Sequence, residues 1–454
     1  MSPEARFVEF VTQTRSADVP RHAKALIQDV ALNVVGAVVA GAGVPGCPEA
    51  VALAKEWGGR REATVLVHGG RIAACHAAFA NSFMARAVGV DEAIVPGIHV
   101  AASVFPTALA AAELVGGCSG AEFLTALVVG TEVAARLNAV TQYDGLDPTG
   151  MCAGFGATAA AGRVMGLGPE AVRHALGHAF NRSGGSFQGT IDGTIAARVL
   201  QGQASQGAIM SAQLAQRGVS GPTRFLEGVY GYRALYGKAG CDAPALVDGL
   251  GTRFALGETF LKKYPTCGTT GPAIDATLAI MAESRRPAED IAEVEVTVTP
   301  TTFELTGRPF AKRTDPRIDA MYSLQYCVAS AAVRGGCKLR HFDEAAIDDT
   351  RVAAVMPRIR VNADPALEAR NTLATDVRVR MRDGRVYQRS VDVARGMPGN
   401  PLSDEELLEK VRDCIAYGGV PLAAGRLEEA VSLVRRLEEV EDVRRLADLL
   451  ANGE

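Results

Sequence analysis

Histidine is scarce in this chain, seven in all, and one is offered from backbone that cannot be helical. His99 ends the run Pro96-Gly97-Ile98-His99. An imidazole titrates near neutrality, so His99 is a candidate general base or acid. The plain alternative is a buried histidine satisfied by a carbonyl. Upstream stand two adjacent acids, Asp91 and Glu92, which by themselves read as helix-terminal surface acids. Lys262 opens the run Lys262-Lys263-Tyr264-Pro265. A lysine there can bind a substrate carboxylate or, with a lowered pKa, exchange a proton. Lys263 is a second carboxylate-binding candidate, and a solvated surface lysine is the alternative for both. Tyr326 can donate from its phenol to a developing enolate, or it can be an ordinary core tyrosine. Arg86, and Arg182 in the glycine-rich run 181–186, are further cations for a carboxylate, with a surface arginine as the alternative.

These residues need elements to hold them. Residues 24–40, 120–137, 153–165, 169–180 and 203–217 space their apolar residues as helices do, and they are rich enough in Ala and Gly to pack closely. The pattern changes after Lys263. Residues 292–299 alternate as a half-exposed strand does, and 375–394 reads as a hairpin turning at Asp383-Gly384. Helices are expected at 316–333 and 343–356. The Gly- and Pro-rich run 396–401 ends this segment, and Ser403 with Glu406 forms a capping box that opens a helix. The expected fold is therefore mainly α: a discontinuous all-helical domain over 1–262 and 402–454, interrupted by a smaller α+β domain over 263–401. Lys262 lies at the hinge of that arrangement.

Composition narrows the function. With 48% hydrophobic residues in 454, the chain can bury a large core. A net charge of −4 carries no basic footprint for nucleic acid and suits a small organic substrate. Nine cysteines, odd in number and without CxxC spacing, point to reduced thiols and a cytoplasmic protein. Residues 93–112 lack Lys, Arg, Asp and Glu and are long enough to span a bilayer, but Pro96, Gly97, His99 and Pro106 favour a loop entering a buried helix. No membrane association is expected.

Four segments together resemble the MmgE/PrpD family, in the family's order and over nearly the whole chain. They are ANSFMARAVGVDEAIVPGIHVAASVFPTALAAAE (80–113), GLDPTGMCAGFGATAAAGRVMGL (145–167), LKKYPTCGTTGPAIDATL (261–278) and ARGMPGNPLSDEEL (394–407). The resemblance implies a homodimer, a helical domain with a smaller α+β domain, and an active site in the cleft between them. It implies proton removal next to a carboxylate, as in dehydration of 2-methylcitrate, decarboxylation of cis-aconitate or epimerisation of iminodisuccinate. Neither metal nor organic cofactor is implied. His99 and Lys262 fall on the family's active-site histidine and on the lysine of its KPYP motif, and Tyr326 on a tyrosine of the decarboxylase branch; Asp91 and Glu92 match the second and third acids of its DFDD pattern, which makes Asp91 a candidate catalytic carboxylate. Asp147, Thr149 and Arg198 fall in motifs that line the family's pocket and are candidate substrate contacts.

The sequence also departs from the family pattern. Gly89 replaces the leading acid of DFDD, Ala93 the threonine after the acids, Asp147 the histidine of HPT, Ala197 a lysine, and Gly271 a second histidine. The expected function is a cofactor-independent lyase on a small carboxylate with fewer acid groups than citrate. An epimerase with two opposed proton carriers, or a family scaffold without activity, are the alternatives.

Overall fold

The computed structural model describes residues 1–95, 97–240 and 246–452, so Pro96 and Cys241 lie outside the described residues. The chain divides into two compact units. One comprises Met1–Gln188, Ala196–Thr259 and Cys414–Glu454; the other comprises Gly189–Ile195 and Phe260–Asp413.

The first unit is helical. Its principal helices are α1 (Arg21–Gly41), α2 (Ala74–Ala85), α3 (Ala101–Leu114), α4 (Gly120–Val140), α5 (Pro148–Val164), α6 (Pro169–Phe180) and α7 (Ala196–Gln216). In α1 every residue from Val30 to Gly41 is buried, which matches its apolar composition on all sides. Helices α1 and α4 are long and apolar enough to cross a membrane by length and composition. Their most apolar windows are 72% and 89% buried inside the protein, as core helices are. Helices α4 and α5 cross backbone to backbone. A Cβ on Gly156 would lie 2.4 Å from the Gly130 carbonyl oxygen, so glycine is required at this crossing. The stretch 93–112 is a loop followed by α3, and α3 runs through Pro106 rather than ending there.

The second unit is α+β. Its sheet has the order β2-β1-β3-β4, with β1 (Ile291–Val298), β2 (Ile359–Ala363), β3 (Thr375–Met381) and β4 (Val386–Val391). Strand β1 is parallel to β2 and antiparallel to β3, which places Val296 opposite both Val361 and Val377. One face of the sheet buries Ile291, Val294, Val296, Val298, Val377 and Val379 against two helices. These are α8 (Gly271–Ser284) and α9 (Leu324–Arg334). The β3–β4 turn is at Asp383-Gly384, with Gly384 at φ 86°.

Several boundaries differ from expectation. The helix expected over 316–333 is two helices, because the Ser323 hydroxyl accepts the Tyr326 amide (3.2 Å) and starts α9 afresh. The segment 343–356 is likewise cut where Asp349 caps Thr350–Val355. The second unit continues past 401 to Asp413. There the capping box forms, Glu406 N–H to Ser403 Oγ at 3.2 Å and Ser403 N–H to Glu406 Oε2 at 2.8 Å, and Arg395 pairs with Glu406 at 2.6 Å. Gly189–Ile195 joins the same unit, since the Gly193 carbonyl accepts the Asp315 amide (3.0 Å).

Candidate active site

In the helical unit the segment from Arg86 to Ala101 folds three chemical groups together. Asp91 is fully buried, and its carboxylate lies 3.4 Å from the Arg86 guanidinium and 2.8 Å from His99 Nδ1. The same nitrogen makes a 2.6 Å hydrogen bond with the Glu92 main-chain carbonyl. A carbonyl only accepts, so Nδ1 carries the proton and Nε2 carries the lone pair of the neutral ring.

The loop is fastened from three helices. Asn138 of α4 donates to the carbonyls of Ile94 (3.3 Å) and Val95 (2.8 Å). Gln201 of α7 donates to the His99 carbonyl (3.1 Å) and to Ser103 Oγ (2.7 Å). Asn33 of α1 donates to the Val90 carbonyl (3.1 Å). Glu92 Oε1 accepts the amides of Val100 (2.8 Å) and Ala101 (2.6 Å), the first of α3. Burial, then the Asp91 charge, push the Glu92 carboxyl up to about 7, against the pull of those two amides. Sequence reasoning selected Asp91 and His99 but missed Glu92, Asn138 and Gln201. The signal for Glu92 was its place beside Asp91, a short loop before a helix whose Val100 N-cap has no capping side chain.

In the α+β unit Lys262 is buried, 3% exposed, and its carbonyl accepts from Lys410 Nζ at 2.5 Å. A small cavity there is lined by Lys262, Lys263, Thr266, Gly271, Asp275 and Arg395, among others. Lys263 Nζ lies 3.5 Å from Asp275 and 3.7 Å from Glu406. Asp275 also accepts from the Tyr264 hydroxyl (2.6 Å). Lys262, Lys263 and Arg395 thus bring three cations to this wall, two of them already paired with Asp275 or Glu406.

The remaining selected residues lie elsewhere. The Tyr326 hydroxyl donates to the His341 carbonyl and accepts from Arg334 Nη1 (3.2 Å), inside the core of the α+β unit. That is the setting of a structural hydroxyl. Asp147 is the N-cap of α5 and accepts the amides of Thr149 (2.8 Å) and Gly150 (3.2 Å), so the pair Asp147 and Thr149 builds a helix start. Arg198 is buried and donates to the Pro45 carbonyl (2.8 Å). Arg182 lines a separate cavity of about 250 Å³ in the helical unit, with Gly150, Gly154, Thr158, Gln203 and Gly207.

A mainly helical chain that backs an imidazole with a buried carboxylate is equipped to move protons. Residues 5–241 match the MmgE/PrpD N-terminal domain and residues 264–435 the MmgE/PrpD C-terminal domain. The chain belongs to the MmgE/PrpD family. Among its relatives is the human cis-aconitate decarboxylase, 25% identical over 394 residues that cover 84% of this chain and 80% of that protein. Another is the Aspergillus terreus cis-aconitate decarboxylase, 25% identical over 462 residues, 96% and 92% of the two chains. A cis-aconitate decarboxylase-like protein of Aspergillus oryzae is 23% identical over 98% of this chain and 97% of its own.

Proposed function

We propose that the protein is a cofactor-independent lyase, of dehydratase or decarboxylase type, acting on a small carboxylate through proton transfer at a carbon next to the carboxylate. The observation that carries this reading is His99 held with Nδ1–H against Asp91 and the Glu92 carbonyl. In dehydration Nε2 takes the proton and the C–H electron pair expels the hydroxyl. In decarboxylation the pair left by departing CO₂ is protonated from Nε2 of the imidazolium. Lys262 anchors a substrate carboxylate in this reading, and the relatives named for cis-aconitate support the substrate class. Gly89, Ala93, Ala197 and Gly271 remove polar groups that the family pattern carries, which favours a substrate with fewer carboxylates. We further assign a homodimer in the cytoplasm. Val199, Met210 and Leu214, each more than a third exposed along α7, give a second copy an apolar stripe to cover.

The test is incubation in D₂O with a panel of hydroxy-, amino- and unsaturated mono-, di- and tricarboxylates, with EDTA present. Loss of water or CO₂ is the expected result. Deuterium entering without net change would replace the lyase with an epimerase, and no exchange or binding across the panel would refute both. Dependence on a chelatable metal would overturn the cofactor-independent mechanism.

A further inference from the structure

Glu92 is buried, 1% exposed, in the only acidic pair of the loop, yet its contacts are of two different kinds. Through its side chain, Oε1 accepts the amides of Val100 and Ala101 at 2.8 and 2.6 Å, the two residues that follow His99. Through its main chain, its carbonyl accepts His99 Nδ1–H at 2.6 Å. Helix α3 begins at Ala101, and its N-cap, Val100, offers no side-chain acceptor, so Glu92 supplies the cap from outside the helix. The other carboxyl oxygen, Oε2, is buried and accepts no hydrogen bond among the described residues. Among the described residues, Asp91, Arg86 and His99 are ionisable groups of this loop, and the Tyr143 hydroxyl meets it through Asn138.

We propose that Glu92 is the positioning residue for His99: its side chain fastens the chain just after the histidine while its carbonyl takes the ring's Nδ1–H, so backbone and ring are clamped by one residue. This rests on the assignment of His99 as the proton carrier. The clamp does two things. It fixes the tautomer, because a ring donating from Nδ1 exposes its lone pair at Nε2. It also fixes the ring's direction, because the amides of Val100 and Ala101 cannot move while Oε1 bridges them. The acceptor oxygen, not the charge, is what the clamp needs.

The experiment compares Glu92→Ala, Glu92→Met and Glu92→Gln in the full-length protein by steady-state kinetics and by ¹⁵N NMR of histidine-labelled protein. The His99 signals are identified by their loss in His99→Gln. Glutamine keeps the acceptor, alanine removes it, and methionine fills the space without one should the alanine variant fail to fold. For alanine or methionine the expected result is a fall in kcat on the order of a hundredfold with KM nearly unchanged. The ring nitrogens should move from a single-tautomer pattern to an averaged one. Glutamine should restore both readouts. A folded Glu92→Met that keeps the tautomer pattern and kcat overturns the proposal, and so does a folded Glu92→Gln that loses both. Should no substrate turn over in the wild type, the lyase assignment fails, while the tautomer pattern still decides the clamp.

Discussion

The Glu92 carboxyl is ionisable, fully buried and adjacent to another acid, and that makes the stability of the helical unit depend on pH in a calculable way. The group's pKa rises from the ordinary 4.5 to about 7, chiefly by burial and then by the Asp91 charge. Below pH 4.5 the carboxyl is protonated in the folded and unfolded chains alike and costs nothing. Between that pH and 7 the unfolded chain releases the proton while the folded one keeps it, so stability falls as pH rises. Above 7 the folded protein carries the buried charge, and at 1.36 kcal/mol per pKa unit the full cost is about 3 kcal/mol. Glu92→Gln retains the acceptor for Val100 and Ala101 but has nothing to ionise. The variant should therefore match the wild type near pH 4.5 and exceed its unfolding free energy by about 3 kcal/mol at pH 8. Urea unfolding followed by circular dichroism at intervals from pH 5 to 8 measures this. The difference between the two proteins is the quantity to plot, because the histidines common to both then cancel. Parallel curves for wild type and variant would refute the argument, since they would mean that Glu92 is already ionised at pH 5.

Three further outcomes are expected. His99→Ala and Lys262→Ala should each abolish turnover of whichever panel substrate reacts, with circular dichroism unchanged; full activity in both would remove the site assignment. Asp147→Ala should cost about 1 kcal/mol in urea unfolding by freeing the amides of Thr149 and Gly150, while turnover is kept. Tyr326→Phe should cost about 1 kcal/mol by removing the hydroxyl's bonds to the His341 carbonyl and Arg334, again with turnover kept; loss of kcat at unchanged stability would return the phenol to the chemistry.

How far the sequence could be read depended on whether the deciding interaction was local. The spans 24–40 and 120–137 fall within α1 and α4 because continuous apolar spacing has one outcome in a core. The Asp383-Gly384 turn was legible because only a glycine-bearing tight turn joins two alternating runs so closely. The break at Ser323 was not, because a serine hydroxyl inside a helical pattern either bonds back within the helix or caps a new one, and packing decides. At the site, residue type and a non-helical loop were enough to mark His99, whereas Asp91 was marked only by its place in the family's acid pattern. The second hold of Glu92 was invisible, since it depends on α3 starting at Ala101 rather than nearer residue 93. Asp147 carried a signal that was there to be used: an acid before Pro-Thr at the head of an Ala- and Gly-rich helix reads as an N-cap followed by proline at N1.

Asp147 also changes the reckoning of charge. Read from sequence, an acid in place of the family's histidine subtracts positive charge from a pocket that must hold carboxylates. In the structure that carboxylate accepts two helix amides and sits at the positive end of α5, so much of its charge is already compensated locally. The replacements that bear on substrate are then those that delete a side chain. Gly271 is the clearest: a Cβ built there meets nothing within 4 Å, beside the cavity that holds Lys262, Lys263 and Arg395. Where the family pattern has an imidazole, this chain has room. Lys263 and Arg395 are in turn engaged by Asp275 and Glu406, so little of their charge is left over for a substrate. A buried carboxylate without a cationic partner is costly, whereas an apolar group in vacated space is favourable. Mono- and dicarboxylates with an apolar arm should therefore react ahead of tricarboxylates, and restoring the imidazole with Gly271→His should shift the preference back toward the more highly charged acids.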